Sequence, residues 1–136
     1  MRTFLEYYES EIQPQIEAMD LYLKTEDPPY TVEAVSELLH ISAIEGKKIL
    51  AEEKLACITK GVFFCMLEKG SAPLCGMFRR ALACGLPEVY TAEQIAYIFG
   101  LDIENVRKAV REAAKKTGTD IFTESMLPLI FEKINL

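Results

Sequence analysis

The sequence predicts a mainly α-helical fold with short β-hairpins, in which one compact unit occurs twice. Three observations predict it. Residues 90–117 have the pattern of two short helices joined by a tight turn at Gly100. Residues 30–50 match residues 90–110 at a shift of sixty positions, and an internal repeat constrains architecture strongly. β-forming residues on both sides of Gly61 indicate a hairpin after the first copy.

The repeat divides the chain into three predicted segments. At 136 residues the chain suits one domain, or two very small ones that share a core. The expected segments are an N-terminal helix or helices over 1–28, a first, degenerate unit with its hairpin over 29–70, and a second unit with a possible C-terminal hairpin over 71–136.

The N-terminal segment has the spacing of an amphipathic helix. Apolar residues recur every three or four positions from Leu5 to Leu23. Pro14 falls inside this pattern, where a proline in a helix interior costs roughly 3 kcal/mol. Either the helix kinks there or a second helix begins near Pro14. We expect residues 4–23 to pack on their own domain or to pair with a second copy of the chain as a homodimer.

The first unit follows two consecutive prolines that mark a linker at 28–29. It departs from the second unit at two positions. His40 stands where the later copy has Gly100, and is interpreted as a turn residue or helix cap. Gly46 stands where an apolar residue belongs. The identical residues of the two copies are Tyr30 and Tyr90, Thr31 and Thr91, Glu33 and Glu93, and Lys48 and Lys108.

The hairpin predictions cover residues 57–67 and, at a shift of sixty-four, residues 120–134. In the first, β-forming residues flank Lys60-Gly61. In the second, Pro128 is compatible with a strand start or an edge. A short helix from Thr123 is the competing interpretation of the second stretch.

The second unit opens with a helix over 72–84 and continues through well-defined caps. Thr91 with Gln94 forms a capping box, and Gly100 suits the left-handed conformation that ends a helix. Asp102 is placed to cap a second helix over 103–116. The chain direction therefore changes within about three residues.

Ala96, Gly100 and Val106 resemble the small, turn-glycine and apolar positions of the helix-turn-helix DNA-binding superfamily. The order helix, helix-turn-helix, hairpin in each copy resembles the winged-helix fold in tandem. Residues 30–42 also resemble the opening of MerR-type and excisionase-type proteins. The resemblance implies that the second helix of a unit enters the major groove of DNA.

Charge is distributed unevenly along a chain whose formal net charge is −6. Residues 1–56 carry twelve acids and five bases, whereas residues 57–136 carry nine acids and ten bases. Phosphate neutralisation supplies most nonspecific affinity for nucleic acid, so the C-terminal half is the plausible DNA face. With the apolar residues of helix 103–116 turned inward, the predicted DNA-binding residues are Asn105, Arg107, Lys108, Arg111, Lys115 and Lys116. The alternative is a solvated charged face at a helix C-terminus.

The corresponding face of the first unit differs in chemistry. An exposed isoleucine beside two glutamates suits a protein contact better than phosphate. The predicted partner-binding residues within 44–52 are Ile44, Glu45, Lys48 and Glu52.

The remaining sequence patterns limit which functions are expected of this chain. The sequence contains no glycine-rich phosphate loop, nucleophile elbow or paired His/carboxylate signature, so no enzyme is expected. Four cysteines without a CxxC pair, and a single histidine, predict no metal and no cofactor. No apolar run approaches the ~20 residues of a membrane span, and acids occupy the N-terminal stretch, so we expect no membrane partner and a cytoplasmic location.

Two functions fit these constraints. The first is a small DNA-binding protein acting in transcription regulation or DNA maintenance, which reads duplex DNA through helix 103–116. The second is an acidic tandem winged-helix module that contacts only proteins; its architecture and negative charge resemble the segregation and condensation protein B type.

Overall fold

The computed structural model describes residues 2–136. The fold is mainly helical, as predicted, with one small two-stranded antiparallel sheet in the described residues. A π-helical turn spans Tyr8–Ile12 and a 3-10 turn spans Glu124–Met126. The strands are β1 Val89–Tyr90 and β2 Phe122–Thr123. The α-helices are α1 Phe4–Tyr7, α2 Gln13–Thr25, α3 Val32–Leu39, α4 Ala43–Glu52, α5 Lys60–Lys69, α6 Pro73–Ala83, α7 Ala92–Phe99, α8 Ile103–Thr117 and α9 Leu127–Phe131.

The chain folds into two compact units, numbered here as unit 1 and unit 2. Unit 1 contains the residues up to Glu11 together with Arg80–Leu136, and unit 2 contains Ile12–Arg79. The two helical pairs of the sequence prediction fall in different units: α3 and α4 in unit 2, α7 and α8 in unit 1.

The N-terminal helical stretch changes its winding before Pro14. The π-helical turn leads directly into α2, since Ile12 before α2 is also in the right-handed helical region, and Pro14 lies in the first turn of α2. The helical stretch is therefore continuous from Phe4 to Thr25, and Pro14 lies where its winding changes, which fits both predicted alternatives, a kink and the start of a second helix. The wider π turn also rotates the buried face. Gln15 and Met19 are buried in unit 2, whereas Ile16, a residue of the predicted apolar stripe, is 36% exposed.

In unit 2, α3 and α4 meet at a three-residue turn with well-formed caps. The Thr31 hydroxyl accepts a hydrogen bond from the Ala34 N–H at 3.2 Å, and the Ser42 hydroxyl accepts one from the Glu45 N–H at 3.0 Å. His40 ends α3 in the left-handed conformation, with φ 59° and ψ 37°. The interpretation of His40 as a turn residue is confirmed.

Gly46 of α4 faces Ser36 and Val32 of α3. A Cβ atom built there would overlap the Ser36 hydroxyl oxygen and would lie 3.1 Å from Cγ2 of Val32. The Ser36 hydroxyl is buried and has no hydrogen-bond partner within the described residues. The absence of an apolar side chain at position 46 therefore follows from the space that Ser36 occupies.

The predicted hairpin over 57–67 is wrong, because these residues lead into helix α5. The Thr59 hydroxyl caps α5 by accepting from the Val62 N–H at 3.2 Å. Phe63, Met66 and Leu67 are buried with helical spacing. β propensity is easily overridden by packing, and here a threonine cap and a helical apolar face outweigh it. The β pairing that does form is a single bridge from Tyr30 to Ile58.

The second hairpin prediction, over 120–134, is also wrong. β2 pairs with β1 in antiparallel register, Val89 opposite Thr123 and Tyr90 opposite Phe122. The chain then enters the 3-10 turn and α9, with Pro128 in the first turn of that helix. The competing interpretation, a short helix from Thr123, is the one that the structure bears out.

Unit 1 is built around α7, α8 and a cluster of aromatic rings. The capping box of Thr91 and Gln94 forms as predicted, and Gly100 ends α7 with φ 67° and ψ 38°. The Phe131 ring packs edge-on against Phe4 at 4.7 Å and against Phe99 at 4.9 Å between centroids. The cluster joins the N-terminal stretch, α7 and α9, and α9 in turn packs against α8.

Candidate nucleic-acid interface

Helix α8 has one apolar face and one charged face. Val106, Ala109, Val110 and Ala113 are buried at spacings of three and four. Asp102 begins the helix by accepting from the Asn105 N–H at 3.1 Å. All six residues predicted to bind DNA are exposed on the rest of the helix surface: Asn105, Arg107, Lys108, Arg111, Lys115 and Lys116.

Arg107 differs from the other cations because carboxylates surround it. Its guanidinium lies 3.0 Å from Glu104 and 3.7 Å from Glu93. Its charge is therefore largely balanced within unit 1, and a phosphate would compete with two acids for it.

The other four cations of α8 have no carboxylate within salt-bridge distance in residues 2–136. Lys108, Arg111 and Lys115 are spaced by three and four residues, so they form one ridge on the exposed face. Lys116 lies on its flank. Lys108 and Lys115 are seven residues apart, about 10 Å along the helix axis, so the cations of this ridge can reach neighbouring phosphates.

A groove of about 220 Å³ runs beside this ridge. Its lining residues come from α8 and from the segment after α9: Asn105, Lys108, Ala109, Glu112, Lys133, Ile134 and Asn135. Lys133 and Asn135 are absent from the predicted site because the sequence pattern places them in or after a hairpin. Their position beside α8 depends on pairing between the N-terminal and C-terminal segments, which no local pattern signals.

The predicted partner-binding residues of α4 have different surroundings. Ile44 is 81% exposed. Lys48 and Glu52 are exposed and form an i,i+4 ion pair at 3.9 Å. Glu45 already has a partner in its own unit, because its carboxylate accepts from the Ser71 N–H at 2.9 Å and from the Ser71 hydroxyl at 2.7 Å. That leaves Ile44, Lys48 and Glu52 available to another molecule.

Residues 4–23, the predicted surface for self-association, present few apolar side chains to solvent. Phe4, Ile12 and Met19 are buried within their own units. Leu21 is the most exposed large apolar residue of the stretch. Pairing with a second copy stays a prediction.

In residues 2–136 the cysteines and the candidate metal ligands do not form a cluster. The four cysteines are free thiols, and burial raises the pKa of the Cys75 thiol above its ordinary value. Within residues 2–136, no three His, Cys, Asp or Glu side chains are close enough together to hold a metal ion. No helix in the same range is long and apolar enough to cross a membrane.

Comparisons with protein-family models, with curated proteins and with solved structures each return no significant match. The function is therefore inferred from the chain's own geometry.

Proposed function

We propose that the protein binds duplex DNA through α8, the second helix of a helix-turn-helix, in transcription regulation or DNA maintenance. The observation that supports this proposal is the set of four exposed cations on α8 that have no carboxylate within salt-bridge distance in residues 2–136. A helix fits the major groove, which is about 12 Å wide, and cations at its surface reach the phosphates. Asn105, near the helix start, offers an amide of the kind that reads an adenine edge.

We also propose that the two helical pairs are tandem copies of one helix-turn-helix unit. Three features support it. Each first helix has a threonine cap and ends in a left-handed residue, His40 or Gly100. Each copy has an equivalent antiparallel β pairing: Tyr30 pairs with Ile58, and Tyr90 pairs with Phe122. The preceding helices α2 and α6 also begin sixty residues apart.

The proposed units differ from a winged helix in the segment after the second helix. A helix, α5 or α9, comes after the β-paired residues in each case. Contacts to the DNA backbone beyond the groove-entering helix would therefore come from some other segment than a wing.

The test is a binding titration by fluorescence anisotropy, with a pool of random duplexes at 0.1 M salt. Each phosphate contact contributes roughly a factor of eight at this salt concentration, so the double charge reversal K108E/R111E should weaken binding about 100-fold or more. The matched control is K47E/K60E, which removes two exposed lysines of unit 2 and changes net charge equally. Equal losses in both variants, or no binding by the wild type even at low salt, would refute the proposal.

The alternative function, an acidic tandem module that contacts proteins, is favoured by the exposure of Ile44. A large apolar side chain so open to solvent, next to charged neighbours, is typical of a protein contact. Sedimentation equilibrium of the wild type and of Ile44→Glu tests the homodimer version. It predicts a wild-type dimer that the substitution dissociates, whereas DNA binding through α8 predicts no effect of this residue on affinity for the duplex.

A further inference from the structure

The C-terminal segment beyond α9 is fixed beside α8 by pairing with the N-terminal segment. The Ile134 carbonyl accepts from the Phe4 N–H at 2.7 Å, and the Leu136 N–H donates to the Arg2 carbonyl at 3.0 Å. Thr3 and Asn135 form an antiparallel bridge between these bonds. The Ile134 side chain is buried. The polar residues on either side of Ile134 are therefore held at defined positions in unit 1.

The groove beside α8 thus has two walls that carry hydrogen-bond donors. Asn105 and Lys108 contribute an amide and an ammonium from α8, and Lys133 and Asn135 contribute the same two groups from the C-terminal segment. In DNA complexes, phosphate oxygens accept hydrogen bonds from amide N–H groups and from ammonium groups. The one acid in the groove is Glu112.

Lys133 is only loosely engaged by that acid. Its ammonium lies 3.8 Å from a Glu112 carboxylate oxygen, near the limit for an ion pair. The Lys133 side chain is 25% exposed, whereas the Glu112 side chain is 57% exposed. The pair holds Lys133 against α8 but leaves its ammonium open to a stronger acceptor.

We propose that Lys133 binds the phosphate backbone of the duplex that α8 contacts, with Asn135 beside it, and that Glu112 holds Lys133 in place until DNA arrives. The inference rests on the proposed function of α8. A helix in the major groove has sugar–phosphate backbone along its flanks, and the C-terminal segment lies along the flank that carries Asn105 and Glu112. It supplies the backbone contact that a wing would otherwise make.

The two members of this ion pair should therefore act in opposite directions on DNA binding. Removing the Lys133 charge deletes a phosphate contact. Removing the Glu112 charge deletes a repulsive group and a competitor for Lys133. If the pair acted only through the stability of unit 1, both substitutions would change binding in the same direction, because each breaks the same ion pair.

The experiment measures duplex affinity and its salt dependence for K133Q and E112Q by fluorescence anisotropy, with folding verified by circular dichroism. K133Q should weaken binding about threefold to tenfold and make the slope of log K against log salt shallower by about 0.9. E112Q should strengthen binding. K133R, which keeps the charge, should bind as the wild type does. The matched controls are K69Q and E53Q, which break a 3.7 Å ion pair of unit 2 and should change nothing.

The outcomes separate this inference from the function on which it rests. If the wild type binds DNA and K133Q binds equally well, or if E112Q weakens binding as K133Q does, the role of Lys133 is overturned while that of α8 stands. A loss of binding in K133R also overturns it, since the position would then act through packing. A wild type that binds no duplex overturns the function of α8 together with this inference.

Discussion

At the contact between α3 and α4, the hydroxyl oxygen of Ser36 occupies the space that a methyl group at position 46 would need. The later helical pair, α7 and α8, has Ala96 and Val106 at the positions that Ser36 and Gly46 hold in the earlier pair, α3 and α4. Both later residues are buried, as are both earlier ones. Ser36 and Ala96 differ in the hydroxyl, and it is this hydroxyl that leaves no room for a side chain at position 46.

This exchange predicts a non-additive pair of substitutions. Gly46→Ala should lower the free energy of unfolding by about 1–3 kcal/mol, because the new methyl overlaps the Ser36 hydroxyl. Ser36→Ala alone should cost little, since it removes a buried hydroxyl that has no partner within the described residues. Urea unfolding of the double variant should show recovery of part of the Gly46→Ala loss. Strictly additive effects would contradict the proposed clash.

Two tyrosines of unit 1 predict the response of stability to high pH. Burial, and then the nearby Glu124 carboxylate, raise the pKa of Tyr8 and of Tyr90 above the ordinary value. The folded state therefore favours the neutral phenols. Their contribution to stability is complete below the unfolded-state pKa of about 10, and is lost as pH rises through the higher folded-state pKa.

The check is the free energy of unfolding between pH 8 and 11 for the wild type and for Y8F/Y90F. The wild type should lose stability above about pH 10, and the double variant should lose less over the same range. Equal losses would mean that other groups, and not these tyrosines, carry the alkaline transition.

At the scale of single elements, the two turns offer a matched comparison. His40 and Gly100 adopt nearly the same left-handed conformation at the end of α3 and α7. A side chain there costs roughly 1 kcal/mol relative to glycine, although histidine tolerates the conformation better than most residues. His40→Gly should therefore stabilise unit 2 by about 0.5–1 kcal/mol, and Gly100→Ala should destabilise unit 1 by about 1–2 kcal/mol.

Thermal unfolding of the two variants checks this prediction. A lower melting temperature for His40→Gly would indicate that the imidazole makes a stabilising contact, which the account of His40 as a turn residue does not include.

Capping residues and turns were the elements that the sequence predicted best. Thr91 and Asp102 both accept a hydrogen bond from the backbone N–H three residues further on, as their spacing indicates. These signals are local, because donor and acceptor lie three residues apart.

The hairpins were the elements that sequence reasoning placed wrongly. Phe63 and Phe64 have high β propensity, yet they belong to α5, where Phe63 is buried in unit 2. β2 pairs with β1 more than thirty residues away instead of with its own neighbours. Both outcomes depend on tertiary packing, which propensity does not encode.

The candidate site was predictable in the part that depends on a single helix. Helical spacing alone predicts that Lys108, Arg111 and Lys115 lie on the solvent-exposed face of this helix, where the structure has them. Lys133 could not be found in this way, because it reaches the groove only through the pairing of the N-terminal and C-terminal segments.

At the scale of the whole molecule, a chain of net charge −6 is proposed to bind a polyanion through one ridge. Such a protein should bind weakly and with marked salt dependence, since the four cations of α8 together with Lys133 correspond to a slope of roughly −4 to −5 in log K against log salt. The acidic remainder should suppress binding through any other surface.

The most direct measurement is a ¹⁵N-labelled NMR titration of the full chain with a duplex selected from the random pool. Amide shifts should move for residues 103–117 and for the segment around Lys133, while those of α4, the corresponding helix of the earlier helical pair, should stay in place. Shifts that move on α4 and leave α8 unchanged would contradict the claim that the later helical pair is the DNA-binding one.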